Sequence, residues 1–178
     1  MTIYLVIALL AVVGLVQATL VPLVAVWGVF PDLPLLLVVS WGLLRGSRQG
    51  LLWGFVAGII VDLFSGAPFG AATLPLMAVG FMAGLGETIV FRNVLLLLLA
   101  MFLATVVYDL LFLFMVQISG DLLIMKEGTG HTVEWSGSLA RVIGSSAVLN
   151  ALLALPISGG MRVLDRRFRH QGVGRVGL

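Results

Sequence analysis

Long apolar runs alternate with short polar or Gly/Pro-rich breaks along the whole chain. The apolar segments run from Thr2 to Leu20, about Val29 to Leu44, Leu51 to Phe64, Pro68 to Gly86, Val94 to Ile118 and Leu139 to Met161. A membrane-crossing helix needs about 20 predominantly apolar residues, so the pattern predicts an all-α polytopic membrane protein folded as a six-transmembrane-helix bundle. The second and third segments are short for a crossing, which predicts tilt or irregular backbone there. The breaks fall at Pro22 with Pro31, Arg45 to Gln49, Ser65 to Pro68, Glu87 to Asn93, and the polar stretch Ser119 to Ser138. The first run lacks a basic leading region and a small-x-small cleavage site, so it reads as the first membrane helix and not as a secretory signal.

Composition agrees with that pattern. Hydrophobic residues make up 61% of the 178 positions and charged residues 10%, with a mean hydropathy of +1.19, where an ordinary soluble domain is roughly half apolar and a quarter charged. Ten basic and eight acidic residues leave a net charge of +2, which gives no reason to expect nucleic-acid binding. The absence of cysteine excludes disulfides, thiolate metal sites and a cysteine nucleophile.

The placement of charge says more than its sum. Basic residues accumulate on the cytoplasmic side of membrane helices. With the amino terminus inside, Arg45, Arg48, Arg92 and the arginines from Arg162 to Arg175 all fall on that side, leaving Lys126 and Arg141 outside. Six crossings with both termini cytoplasmic satisfy the loops together. This divides the chain into a transmembrane domain, residues 1–162, and a basic cytoplasmic tail, residues 163–178, lying beside anionic headgroups.

Two patterns inside the apolar segments carry candidate chemistry. Glycines recur at four-residue spacing at Gly42, Gly46, Gly50, Gly54 and Gly58, and again at Gly80 and Gly84. On a helix this puts them on one face, where another backbone can approach closely. Packing within the bundle is the general reading, with Gly50, Gly54 and Gly58 as the best candidates for docking a partner helix. The second pattern is a set of intramembrane polar residues, Gln17, Asp109, Arg141 and Asn150, with Asp62 at similar predicted depth. Such residues face the bundle interior, water or a partner. Asp109 and Asn150 are expected to hydrogen-bond to each other, tying the fifth helix to the sixth, and an outward polar cavity is the alternative.

Enzymatic readings find little support. Tyr108-Asp109 together with Gly84-Leu85-Gly86-Glu87 is similar to the paired motifs of intramembrane aspartyl proteases. That chemistry needs two carboxylates close enough to share a proton, whereas the predicted topology separates Glu87 and Asp109 across the membrane. His131 stands alone in the outer polar stretch, short of the three or four ligands of a metal site. Trp135 beside it suits an interfacial anchor. No enzyme activity, metal or cofactor is expected.

The segment from Pro31 to Gly70 is more specific. It contains Pro31-Asp32-Leu33, Gly42-Leu43-Leu44-Arg45-Gly46, the Gly50, Gly54 and Gly58 series, and Asp62-Leu63-Phe64-Ser65-Gly66, preceded by a helix bearing Gln17. This resembles the MreD family of rod-shape-determining proteins, with Pro34 interrupting what is usually a leucine run. The resemblance implies a bacterial inner-membrane subunit of the cell-elongation machinery that partners the bitopic protein MreC and works with RodA, a class B penicillin-binding protein and MreB filaments. It also implies a fold similar to the S components of energy-coupling-factor transporters.

The resulting expectation is a scaffold that binds the MreC transmembrane helix, with Asp32, Arg45, Asp62 and the Gly50, Gly54, Gly58 face as partner-binding candidates. Asp32 and Asp62 would cap local backbone or pair with Arg141, and Arg45 would hold the inner turn. The alternative is a vitamin-like small-molecule binding subunit whose outward cavity is lined by Gln17, Asp62, Asp109 and Asn150.

Overall fold

The computed structural model describes residues 2–19, 30–65, 68–86, 93–127 and 137–173, with side chains described for residues 8–17, 19, 30–65, 68–86, 93–119 and 143–163. Six α-helices make up the described chain: α1 (Thr2–Thr19), α2 (Leu33–Arg45), α3 (Ser47–Ser65), α4 (Thr73–Leu85), α5 (Val94–Glu127) and α6 (Gly137–Val173). Among the described residues there is no strand.

The elements differ from the hydropathy pattern at their ends, for local reasons. The break expected over Arg45 to Gln49 shrinks to one residue, because Gly46 takes φ 87°, reverses the chain and lets a new helix begin at Ser47. Its N–H closes α2 by donating to the Gly42 carbonyl at 2.7 Å, a left-handed exit that glycine adopts without a Cβ penalty. The third helix is therefore 19 residues long and among those long and apolar enough to cross a membrane, as α5 and α6 also are. The fourth apolar run is helical only from Thr73, since the chain turns through Gly70 at φ 97°. The polar stretch after Ile118 continues α5 to Glu127, and the basic segment after Arg162 continues α6 to Val173.

Helices α2 and α4 are only 13 residues each. At about 1.5 Å of rise per residue each spans about 20 Å, short of a hydrocarbon core about 30 Å thick. Helix α2 nonetheless packs against all five other helices. Leu35, Leu36 and Val39 have no exposed surface, and Leu43 is buried beside Leu97 and Met101 of α5. A helix apolar all round belongs at the centre of its bundle. Pro34 sits in its first turn, where the missing N–H has no helical acceptor to lose.

The tightest seam joins α3 to the antiparallel α4. A Cβ on Gly50 would collide with the Gly80 carbonyl, one on Gly54 with the Leu76 carbonyl, one on Gly58 with the Thr73 backbone, and one on Gly84 with Ser47. The two backbones touch at every turn, as small-residue seams allow. The face kept from sequence as a partner-docking groove is thus filled by α4 of the same chain, with Gly50, Gly54 and Gly58 all buried. A free groove needs the opposing side to be open, and here it is closed.

Candidate functional site

Irregular backbone at membrane depth is tolerated only where its N–H and C=O groups find protein partners. The short helices α2 and α4 create that need at their amino-terminal ends, and the intramembrane polar residues meet it. Asp62, projecting from α3 and 5% exposed, accepts hydrogen bonds from the N–H groups of Gly70 at 2.9 Å, Ala72 at 2.8 Å and Thr73 at 3.2 Å. The Thr73 hydroxyl donates to the same carboxylate. Ala72, the residue at the α4 N-cap position, offers no side-chain cap of its own, so the carboxylate from α3 caps α4. Negative charge at a helix N-terminus also matches the helix dipole.

The start of α2 is held from three sides. Asp32 is its own N-cap, accepting from the Leu35 N–H at 2.9 Å, as Asp does at this position. Gln17 of α1 accepts from the Leu33 N–H and donates to the Pro31 carbonyl, both at 3.0 Å. Asn150 of α6 accepts from the Asp32 N–H at 3.0 Å while its amide reaches the Thr105 hydroxyl of α5 at 3.4 Å. Helices α1, α5 and α6 therefore converge on one turn of backbone.

The expected Asp109–Asn150 bond is not what ties α5 to α6. Asp109 accepts from the Ser146 hydroxyl at 3.1 Å, and Asn150, one helical turn further along α6, meets Thr105, one turn back on α5. Two rungs replace the single one, because an amide facing both α2 and α5 can satisfy two partners. The sequence pattern names Asn150 but not the α2 N–H that claims its oxygen, since that partner lies far away in the chain.

The expected outward cavity is likewise rearranged. A hollow of about 330 Å³ at this end is lined by Gly14, Gln17, Asp32, Pro34, Val61, Phe64 and Ser65. Of Gln17, Asp62, Asp109 and Asn150, only Gln17 lines it, and both ends of its amide are already engaged. The other three polar groups serve backbone or a neighbouring helix elsewhere. Asp62 and Asp32 do cap local backbone as expected, while the side chain of Arg141 lies outside the described residues, as do Gly66, Glu87, His131 and Trp135.

The opposite end is basic. Arg45, Arg48 and Arg162 are the described basic side chains, all exposed there. The Arg45 guanidinium lies 5.5 Å from the centre of the Trp41 ring, a cation–π arrangement that braces the Gly46 turn. Among the described residues no group of three or more His, Cys, Asp or Glu side chains could hold a metal ion.

An apolar cleft of about 170 Å³ opens between α4 and α5, with α2 as its floor. Val39 and Leu43 lie at the bottom, and Ala83, Gly86, Ala100 and Ala104 supply small residues along the two walls. This cleft had no signature in the sequence, because alanines spaced by four are unremarkable in an apolar helix.

The family model described as rod shape-determining protein MreD matches residues 1–143. That stretch contains α1 to α5 and the capping residues Gln17, Asp32 and Asp62. No curated protein and no solved structure matches the chain. With an all-helical apolar bundle and a family match over most of its length, the chain belongs to the MreD family of rod-shape-determining membrane proteins.

Proposed function

We propose that the protein is a non-enzymatic scaffold of the bacterial cell-elongation complex, resident in the inner membrane with both termini cytoplasmic, and that it binds the transmembrane helix of MreC. Through that partner it is connected to RodA, a class B penicillin-binding protein and MreB, and so organises peptidoglycan synthesis. The arginine end faces the cytoplasm, as basic residues resist translocation.

The observation that carries this reading is the use to which the buried polar groups are put. Gln17, Asp32, Asp62 and Asn150 are engaged with the backbone of α2 and α4. A binding subunit for a small polar molecule needs such groups aimed at the ligand, whereas a scaffold needs them to make a rigid body. The vitamin-like alternative lacks that support.

Helix association in lipid relies on close packing, because lipid offers no hydrophobic drive between helices. The partner-binding surface in this reading is the α4–α5 cleft, where small residues leave room for a foreign backbone. Asp32, Arg45, Asp62 and the Gly50, Gly54, Gly58 seam contribute indirectly, by fixing α2, α3 and α4 as one wall.

Affinity purification from native membranes tests the proposal, with Ala104→Leu as the variant that fills the cleft. A retained bitopic partner that Ala104→Leu loses by about tenfold or more, with bundle stability unchanged, is the expected result. Recovery of an ATPase pair and a bound vitamin would overturn it.

A further inference from the structure

We propose that the hollow beside Asp32 binds a primary ammonium group, that of a phosphatidylethanolamine headgroup, with the Asp32 carboxylate as its counter-ion. The two aspartate caps differ in how much of the carboxylate is used. A carboxylate offers about four acceptor sites. Asp62 fills them with three backbone N–H groups and the Thr73 hydroxyl. Asp32 receives only the Leu35 N–H and a hydrogen bond from the Tyr108 hydroxyl of α5. Asp32 is also half-buried where Asp62 is buried, and it forms part of the wall of the hollow of about 330 Å³ between α1, α2 and α3. The acceptor capacity left on Asp32 therefore has open space in front of it.

The charge at this turn is negative. The N-terminus of a helix carries about half a positive charge, so the full charge of the Asp32 carboxylate outweighs it. Asp62 and Asp109 add to the field, since all three carboxylates gather around the buried Tyr108. The described basic side chains, Arg45, Arg48 and Arg162, all lie at the other end. Arg141 stands nine residues before Asn150 on α6, about 13 Å of helix rise from the side chain that meets Asp32. Charge inside an apolar bundle is costly unless it is paired, and a cation in the hollow pairs it.

The walls select the kind of cation. A hard metal ion takes six or more oxygen ligands, and here one carboxylate lines the space. Both ends of the Gln17 amide are bound to backbone, so Gln17 fixes the wall and leaves the ligand to Asp32. A primary ammonium brings three N–H donors to the unused acceptor sites, which a quaternary ammonium cannot. A single water needs about 10–15 Å³ of such space, so the hollow has room for a headgroup. Its rim suits the rest of a lipid: Phe64, which lines it, is 51% exposed, and Leu15, next to Gly14 of the wall, is 50% exposed. Acyl chains lie along these two side chains while the ammonium reaches Asp32.

The test uses the full-length protein in detergent at about pH 7.5, where a carboxylate is ionised and an alkylamine protonated. It is titrated with short-chain phosphatidylethanolamine and read by native mass spectrometry. One lipid is retained, and phosphatidylcholine of the same chain length is held about tenfold less well, for want of charge-assisted hydrogen bonds. Asp32→Asn keeps the helix cap, since Asn caps as well as Asp; it melts as wild type and loses phosphatidylethanolamine by about tenfold or more. Val61→Phe fills the hollow from α3 without touching the cap and gives the same loss. Full retention by either variant, or equal retention of phosphatidylcholine, would overturn the site. Displacement by millimolar free ethanolamine would assign it to a soluble amine and overturn the lipid. Arg141→Gln leaves retention unchanged; a marked rise would make Arg141 the counter-ion of Asp32 and overturn the proposal. None of these readouts depends on MreC binding.

Discussion

Replacing Asp62 by alanine removes the acceptor of three backbone N–H groups and one hydroxyl at the start of α4. These donors sit where α4 meets α3, and a buried donor left unpaired costs about 1–3 kcal/mol. Taking the lower figure for each N–H, and letting the Thr73 hydroxyl find a local carbonyl, Asp62→Ala loses about 3 kcal/mol. Asparagine is a sharper probe. One carboxylate oxygen takes the Ala72 N–H, and the other takes Gly70, Thr73 and the hydroxyl. An amide has a single acceptor oxygen, and its NH₂ must then face a donor in either orientation. Asp62→Asn therefore costs about 2 kcal/mol despite its near-identical shape. Thermal unfolding of fluorescently tagged protein in detergent, followed by size-exclusion recovery, measures both. The expected order of stability is wild type, then Asn, then Ala. Wild-type melting in both variants would refute the capping role, and lost cell-shape activity without lost stability would mark Asp62 as a ligand or partner contact instead.

Two further outcomes follow from the same geometry. Gly58→Leu sets a side chain against the Thr73 backbone and is expected to lower detergent stability and the recovery of folded protein, not partner capture alone; normal stability with selective loss of partner would restore the docking-face reading. Asp109→Asn keeps an acceptor for Ser146 and is expected to be mild, within about 1 kcal/mol of wild type by the same melting assay; a severe loss in a well-folded bundle would point to a role for the charge itself.

Hydropathy was enough to place six apolar segments, because lipid solvation imposes composition over whole helices. It could not place the ends of α2 and α4, since a 13-residue helix with a buried cap and a 20-residue helix have similar average hydropathy when the flanking loop is also apolar. Gly46 and Gly70 mark those ends, but φ is decided by the turn each closes. The polar residues Gln17, Asp32, Asp62 and Asn150 stood out against the apolar background, because polar groups are costly in lipid. Their partners did not stand out, because those partners are backbone groups, identical in every residue. Asn150 shows the limit most clearly: from sequence its natural partner is the other strong polar group at its depth, Asp109, while in the fold the unsatisfied N–H of Asp32 comes closer. The glycine series was similarly half readable. Spacing shows that a backbone approaches α3, and only the fold shows that it is α4.

The claim beneath the whole account is that polar side chains within the apolar bundle are there to hold the ends of two short helices. Amide hydrogen exchange on the wild-type protein in lipid nanodiscs addresses it directly, at Leu33, Leu35, Gly70, Ala72 and Thr73. The account predicts that these five amides exchange as slowly as those in the middle of α2. Exchange at the rate of an open loop, in a bundle whose helix centres stay protected, would contradict it.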